Sequence, residues 1–197
     1  RVMADYSPEL SQQALGAAEG IFTQAFGKSD DTAARAFVLA ELILTTGKQS
    51  YIDALTNMKS AIVADIDNTA WAIGRVMTVI DNQEFVAAVH QAVVEQQKHV
   101  RAQAVETPYG VPYKPHIWGA GWGIQDFGVK QYFVHKSWPD IASSDIYVNA
   151  LNFVLGVHPG SNTNSFASGV GSKSALVAYG VNRADWSYIP GGVISGI

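Results

Sequence analysis

Aromatic side chains gather in two segments of the second half of the chain, both rich in glycine or proline. The segments carry Tyr109, Tyr113, His116, Trp118 and Trp122, and then Trp186 and Tyr188. Flat apolar rings with polar edges suit the faces of sugar rings, and loops on a rigid scaffold often carry function. Packing between helices is the alternative role for any one ring. Glycine neighbours let a ligand approach the backbone closely, so they favour a carbohydrate-binding site.

Carboxylates near these segments are the candidates for acid–base chemistry. They are Glu106, Asp126, Asp140 and Asp185. Cleavage of a glycosidic bond needs two carboxyl groups, about 6.5–9.5 Å apart for inversion and about 5–5.5 Å apart for retention. None of the four stands in a paired motif, so each is better interpreted as a helix cap or a salt-bridge partner. The residues alone therefore indicate sugar contacts without a catalytic pair.

Other ligand chemistries find weaker support. Residues 169–174 lack the Gly-Lys-Ser succession of a phosphate-binding loop and the third glycine of a dinucleotide fingerprint. The five histidines form no His-x-Glu or i, i+4 pair and the chain has no cysteine, so we expect neither a metal ion nor a cofactor. Ser168 and Ser195 lack the Gly-x-Ser-x-Gly turn that presents a serine nucleophile.

Composition and charge narrow the classes of partner. The 197 residues include 17 acidic and 13 basic side chains, spread without blocks, so no basic stripe is available for a phosphate backbone and we expect no nucleic-acid partner. The longest apolar stretch, residues 37–46, contains Glu41 and is shorter than the roughly 18 residues of a membrane span, so no membrane insertion is expected. A length of 197 residues predicts one large domain or two small ones, and with 48% hydrophobic residues a sizeable core is possible.

Helical periodicity begins early in the chain. Ser7 and the proline after it are typical of a helix start, and Gly27 is typical of its end. A second helix is predicted from a cap at Asp30 or Asp31 to Gly47. It is apolar on nearly every side, so we expect it to be buried on most of its faces.

Five further apolar stripes predict helices over residues 52–66, 73–80, 85–100, 122–136 and 144–155. The last stripe consists of Tyr147, Val148, Leu151 and Leu155. Between the fifth and sixth helices, three prolines in residues 107–115 predict an extended loop. From Gly156 onward no period is sustained and no strand pair is predicted. About seven helices and a long glycine-rich C-terminal region indicate an all-α fold of stacked helical hairpins, as in a toroid or a solenoid.

Two segments of the last third resemble a known enzyme family. Residues 149–159 read Asn-Ala-Leu-Asn-Phe-Val-Leu-Gly-Val-His-Pro, and residues 164–174 read Asn-Ser-Phe-Ala-Ser-Gly-Val-Gly-Ser-Lys-Ser. These two segments are similar to glycoside hydrolase family 9, the inverting cellulase family. In that family a helix ending in Leu-Gly-x-Asn-Pro is followed by the motif Ser-Phe/Tyr-Val-x-Gly-x-Gly. The helix of residues 36–47 followed by Tyr51 also resembles a segment of that family. The resemblance spans the chain and is most specific in its last third.

The resemblance implies an (α/α)6 barrel, of which residues 1–197 would be the C-terminal part of a single catalytic domain. The family's paired aspartates lie in an early Asp-Ala-Gly-Asp segment, and its acid glutamate lies in a later Asn-Glu motif. Neither segment occurs in this sequence. The resemblance therefore places both catalytic carboxylates outside the chain and makes the remaining barrel helices of the same polypeptide its partner.

Sugar contacts are carried over residue by residue. Arg183 matches the arginine of the family's His-His-Arg motif, a planar charged donor that binds sugar hydroxyls, whereas Asn182 stands where histidine is usual. With this departure the chain resembles a divergent bacterial branch of the family. The activity implied is cleavage of β-1,4-glucan or that of an exo-β-glucosaminidase. The substrate-binding residues predicted in this way are Arg183, Trp118, Trp122, His116 and Tyr109, with Asp185 orienting Arg183.

The leading hypothesis is thus a fragment of a glycosidase acting on an oligosaccharide or polysaccharide. The resemblance alone implies that the protein is secreted or periplasmic, because polymer-degrading enzymes must meet their substrate outside the cytoplasm. Two other classes stay open. One is a non-catalytic carbohydrate-binding helical module, and the other is a helical interaction module that uses its aromatic rings as interface anchors.

Overall fold

Helices account for all the regular structure in the parts of the chain that a computed structural model describes, residues 1–112, 119–157, 159–161, 163–174 and 189–194. The α-helices are α1 Pro8–Gln24, α2 Thr32–Thr46, α3 Gln49–Thr56, α4 Lys59–Ala64, α5 Ile66–Ile73, α6 Gln83–Ala104, α7 Ala120–Ser137 and α8 Ser144–Val154. Short 3-10 helices span Phe26–Lys28 and Gly74–Val79. The described residues contain isolated bridges but no strand, and the predicted all-α class is confirmed.

The chain divides into two compact units, Arg1–Val94 and Glu95–Ile197. We call them the N-terminal and the C-terminal unit. The division falls within α6, so one uninterrupted helix contributes residues to both. The assignment of residues 1–197 to a single domain stays a prediction.

Local capping signals set the limits of α2, as predicted. The Asp31 carboxylate accepts a hydrogen bond from the Ala34 backbone N–H at 2.9 Å and thereby satisfies one free donor of the first turn. Gly47 ends the helix in the left-handed conformation, with φ +64°. Five residues of α2 are buried, and it packs against α3, α4 and α5. The expectation that α2 is buried on most of its faces is met only in part, because Phe37 is 38% exposed and an open groove borders the side toward α1.

The first helix has an apolar stripe of Leu15, Ala18 and Phe22, but it is less buried than this pattern indicates. It begins at Pro8 after Ser7, as expected, but none of its residues is fully buried. Leu15 and Phe22 are half-buried, whereas Ala18 is exposed. An open groove of about 570 Å³ lies between α1 and α2. The stripe of α1 is therefore only partly covered by the N-terminal unit.

The single helix predicted over residues 52–66 is wrong, because three short helices take its place. The chain turns at Asn57 and Met58 between α3 and α4, and again at Asp65 before α5. The Thr69 hydroxyl donates to the carbonyls of Ile62 and Asp65, at 3.1 and 2.8 Å, and so ties α5 to α4. The apolar period persists across the breaks because each of the three helices packs against α2. The stripe predicted over residues 73–80 is mainly the second 3-10 helix.

Helices α7 and α8 form an antiparallel hairpin in the C-terminal unit. Successive contacts along it join Tyr132 to Tyr147 and bring the backbone of Gly128 against Ala150. A β-carbon on Gly128 would lie 2.9 Å from that of Ala150, so the glycine permits close approach of the two helices. The hairpin therefore has the geometry of the helical pairs that the sequence predicts.

The helix predicted over residues 144–155 is present as α8, but the apolar stripe that predicted it is not the buried face. Val148 and Leu151 are 40% and 55% exposed, and Tyr147 and Leu155 are only half-buried. The buried residues of α8 are Ile146, Ala150, Phe153 and Val154. Apolar residues occupy nearly every face of this helix, so periodicity alone does not select the one that packs.

Candidate functional site

Trp122 lies in the first turn of α7, and its ring is 42% exposed. The indole N–H donates to the Val193 carbonyl at 2.9 Å, which fixes the orientation of the ring. Gly121 makes this contact possible, because a β-carbon there would lie 2.2 Å from the Ile194 carbonyl oxygen and 2.6 Å from Phe166 Cδ1. The backbone of residues 189–194 therefore passes directly over the start of α7 and holds an exposed aromatic ring in place.

Tyr109 packs against an apolar cluster in the C-terminal unit. The buried members of this cluster include Val111, Ile124, Phe153, Phe166 and Ile194. The Tyr109 ring meets Phe153 edge to face, with centroids 4.9 Å apart, and Phe153 stacks on Phe166 at 5.1 Å. The Thr107 hydroxyl donates to the Val111 carbonyl at 2.8 Å and closes the turn that carries the tyrosine. Tyr109 is half-buried, so core packing occupies much of the ring that the sequence assigns to sugar binding.

The chain folds back on itself immediately after α8. Gly156 adopts a left-handed conformation with φ +76°, and a β-carbon there would lie 2.5 Å from the Thr163 carbonyl oxygen. The Phe166 N–H donates to the Val154 carbonyl at 2.8 Å, and the Ile194 N–H donates to the Phe166 carbonyl at 2.9 Å. Three segments, the turn at 107–112, the loop at 163–174 and the segment at 189–194, thus meet around the α7–α8 hairpin.

Two buried serines hold these segments together. Ser165 accepts a hydrogen bond from the Ala167 N–H at 3.0 Å and donates to the Val154 carbonyl at 3.3 Å. Ser168 donates to the Ile189 carbonyl. Both side chains are fully enclosed. Their hydroxyls are therefore committed to the backbone of the loops.

The carboxylates near the site have ordinary surface roles where the structure describes them. Asp126 forms an ion pair with Lys130 at 2.7 Å, one helical turn away on α7, which confirms it as a salt-bridge partner. Glu106 and Asp140 are exposed, and Asp185 lies outside the described residues. Within the described part of the chain, no group of three His, Cys, Asp or Glu side chains is arranged to hold a metal ion.

The structure places two of the six predicted sugar-contacting residues: Tyr109 packs against the apolar cluster, and Trp122 bonds to Val193, which packs against the same cluster. Trp122 presents an exposed ring, and Tyr109 a partly buried one. His116, Trp118, Arg183 and Asp185 lie outside the described residues.

An apolar groove beside Trp122 was missed by sequence reasoning. It has a volume of about 360 Å³ and runs along α7 and α8. Lining side chains include Ile124, Val129, Tyr132, Tyr147, Leu151 and Val193. Val193 also holds the Trp122 indole, so the groove and the exposed ring are neighbours. The sequence did contain one signal for this groove, because α8 has more apolar residues than one buried face requires.

Comparison of the chain with protein-family models, with curated proteins and with solved structures found no match. None of the helices in the described ranges is both long enough and apolar enough to cross a membrane.

Proposed function

We propose that this chain is part of an inverting β-glycosidase similar to glycoside hydrolase family 9, and that its C-terminal unit contributes sugar contacts. An antiparallel helical hairpin such as α7–α8 is the building block of an (α/α)6 barrel, which supports the proposed architecture. The substrate class is β-1,4-linked glucan or a related β-glycoside such as a glucosaminide. A secreted or periplasmic location accompanies the proposal, because the substrate is a polymer.

The exposed ring of Trp122 is the observation that carries the proposal. The indole N–H is already bonded to the Val193 carbonyl, so the orientation of this partly exposed side chain is set before any ligand binds. A ring fixed before binding loses little conformational freedom when a sugar stacks on it. It also stands where loops converge at one end of a helical hairpin, the usual position of a site on a rigid scaffold.

The proposed mechanism divides the work between this chain and the rest of the polypeptide. A carboxylic acid outside the chain protonates the glycosidic oxygen, and a second carboxylate activates water on the opposite face of the sugar. Trp122 binds a sugar ring by stacking, and Arg183 donates hydrogen bonds to hydroxyl groups. Both act by holding the scissile bond in register with the acid and the base.

Replacement of Trp122 tests the proposal. In the intact protein, Trp122→Ala is expected to lower kcat/KM on β-1,4-linked glucan or chitosan oligosaccharides about tenfold, since an aromatic contact contributes about 1–2 kcal/mol. Trp71→Ala is the matched control, because Trp71 stacks on Phe37 in the N-terminal unit and has no proposed sugar contact. Equal kcat/KM for the Trp122 variant and the wild type would refute the assignment.

Arg183→Ala provides a second, independent test of the same site. Loss of the guanidinium is expected to lower kcat/KM on the same oligosaccharides, because a donor fork to sugar hydroxyls is removed. Wild-type kcat/KM in this variant would remove Arg183 from the proposed site.

A non-catalytic carbohydrate-binding module is the second candidate function. The pairing of Asp126 with Lys130 favours it, because the carboxylate nearest Trp122 along α7 is occupied as a surface ion pair. Quenching of tryptophan fluorescence by oligosaccharides that is lost in Trp122→Phe, without release of reducing sugar by the intact protein, would select this candidate.

A further inference from the structure

Three glutamine side chains are buried together between α6 and α7. Gln97 is completely buried, and Gln131 and Gln96 are 4% and 5% exposed. The Gln97 side-chain amide donates to Gln131 Oε1 at 3.0 Å and to Gln96 Oε1 at 3.2 Å. Both side-chain N–H groups of Gln97 are thereby used. Its Oε1 is buried and has no hydrogen-bond partner among the described residues.

Exchanging the oxygen and nitrogen positions of the amides does not remove this imbalance. If Gln97 is turned over, its oxygen faces Gln96 and Gln131, and both of those amides must also turn to donate to it. The Gln97 nitrogen then occupies the position that its oxygen held. One buried polar atom of Gln97 lacks a protein partner in either arrangement, and only its character changes from acceptor to donor.

A buried amide group without a hydrogen-bond partner destabilises a fold, and native proteins rarely tolerate one. We propose that the Gln97 side chain, held in place by Gln96 and Gln131, binds a single buried water molecule. Water both donates and accepts, so it satisfies Gln97 in either orientation of the amide. The three side chains are neutral, and they offer no charge to hold an ion.

The hydrated cluster links α6 to α7, the two helices that follow one another along the chain on either side of Tyr109. Gln97 lies about two helical turns before the end of α6, and Gln131 lies three turns into α7. Residues 105–119, which carry Tyr109, connect these two helices. The water therefore completes the polar contact that joins the two helices at Gln97 and Gln131.

A crystal structure of the wild-type protein at high resolution tests the water site directly. The expected result is an ordered water within about 2.7–3.2 Å of the Gln97 side chain and of at least one further polar atom. A protein group in hydrogen-bonding contact with that atom, or the lack of any density beside it, would overturn the proposal.

Water magnetic relaxation dispersion in solution provides an independent readout. Gln97→Met should reduce the number of long-lived internal waters by one relative to the wild type. Gln103→Met is the matched control, since Gln103 is exposed on the same helix and the substitution is identical. An unchanged number of long-lived waters in a folded Gln97→Met protein would contradict the site. If that variant does not fold, the crystal structure of the wild type decides.

Discussion

Glu19 receives two hydrogen bonds at one carboxylate oxygen, from Lys48 Nζ at 2.6 Å and from the Tyr51 hydroxyl at 2.7 Å. The bond from Lys48, followed by that from Tyr51, lowers the pKa of Glu19. Burial raises the pKa of Tyr51 to about 12, and the hydrogen bond to Glu19 adds to this effect. Glu19 of α1, Lys48 before α3 and Tyr51 within α3 are thus linked, and Tyr51 is the one tyrosine that the family resemblance singles out in the N-terminal unit.

Titration of the tyrosines by phenolate absorbance should contain one step near pH 12 that is lost in Tyr51→Phe. The folded-state pKa lies above the ordinary value of 10.0, so the stabilising contribution of Tyr51 is complete below about pH 10 and is lost as the pH rises through 12. Glu19→Gln should lower the pKa of Tyr51 only partly, because burial, the larger cause, remains. An identical dependence of unfolding free energy on pH in Tyr51→Phe and wild type above pH 10 would contradict this prediction.

At the scale of the element, the start of α7 depends on a glycine that touches another segment. Gly121 is buried beneath Ile194 and Phe166, whereas Gly123, two residues later in the same helix, has open space around its α-carbon. Replacing each glycine with alanine therefore separates the effect of close packing on the free energy of unfolding from the effect of helix propensity.

Gly121→Ala is expected to lower the free energy of unfolding by about 1–3 kcal/mol, because the added methyl group displaces residues 189–194. Gly123→Ala is expected to raise it by about 0.5–1 kcal/mol, since alanine loses less backbone entropy in a helix. Urea unfolding measures both values. The indole of Trp122 should also become more mobile in Gly121→Ala, with lower fluorescence anisotropy. Equal stability of the two variants would show that the contact over Gly121 is not formed.

At the scale of the whole molecule, the stereochemistry of the proposed reaction can be tested on the intact protein. If the intact protein is an inverting β-glycosidase, the first product released from a β-1,4-linked oligosaccharide is the α-anomer, which proton NMR detects before mutarotation. Initial release of the β-anomer would contradict the resemblance to the inverting family. Binding without any release would instead favour the non-catalytic carbohydrate-binding module.

The limits of several elements were predictable from the sequence by itself. Asp31 caps a backbone N–H three residues away, Gly47 ends the helix that precedes it, and proline excludes helix from the turn around Thr107. These interactions span at most one helical turn, so neighbouring residues suffice to specify them. The all-α class and the position of Trp122 near the start of a helix followed from such local signals together with periodicity.

Only the tertiary structure decided which faces are buried and which distant groups meet. Trp122 bonds to a carbonyl 71 residues away, and Gln97 to an amide 34 residues away. Such contacts depend on how elements pack in three dimensions, and helical periodicity contains no information about the partner. The breaks between α3, α4 and α5 and the exposure of Leu151 on α8 have the same cause. An apolar side chain gains from burial against any apolar surface, so the choice among its possible neighbours is made by the fold as a whole.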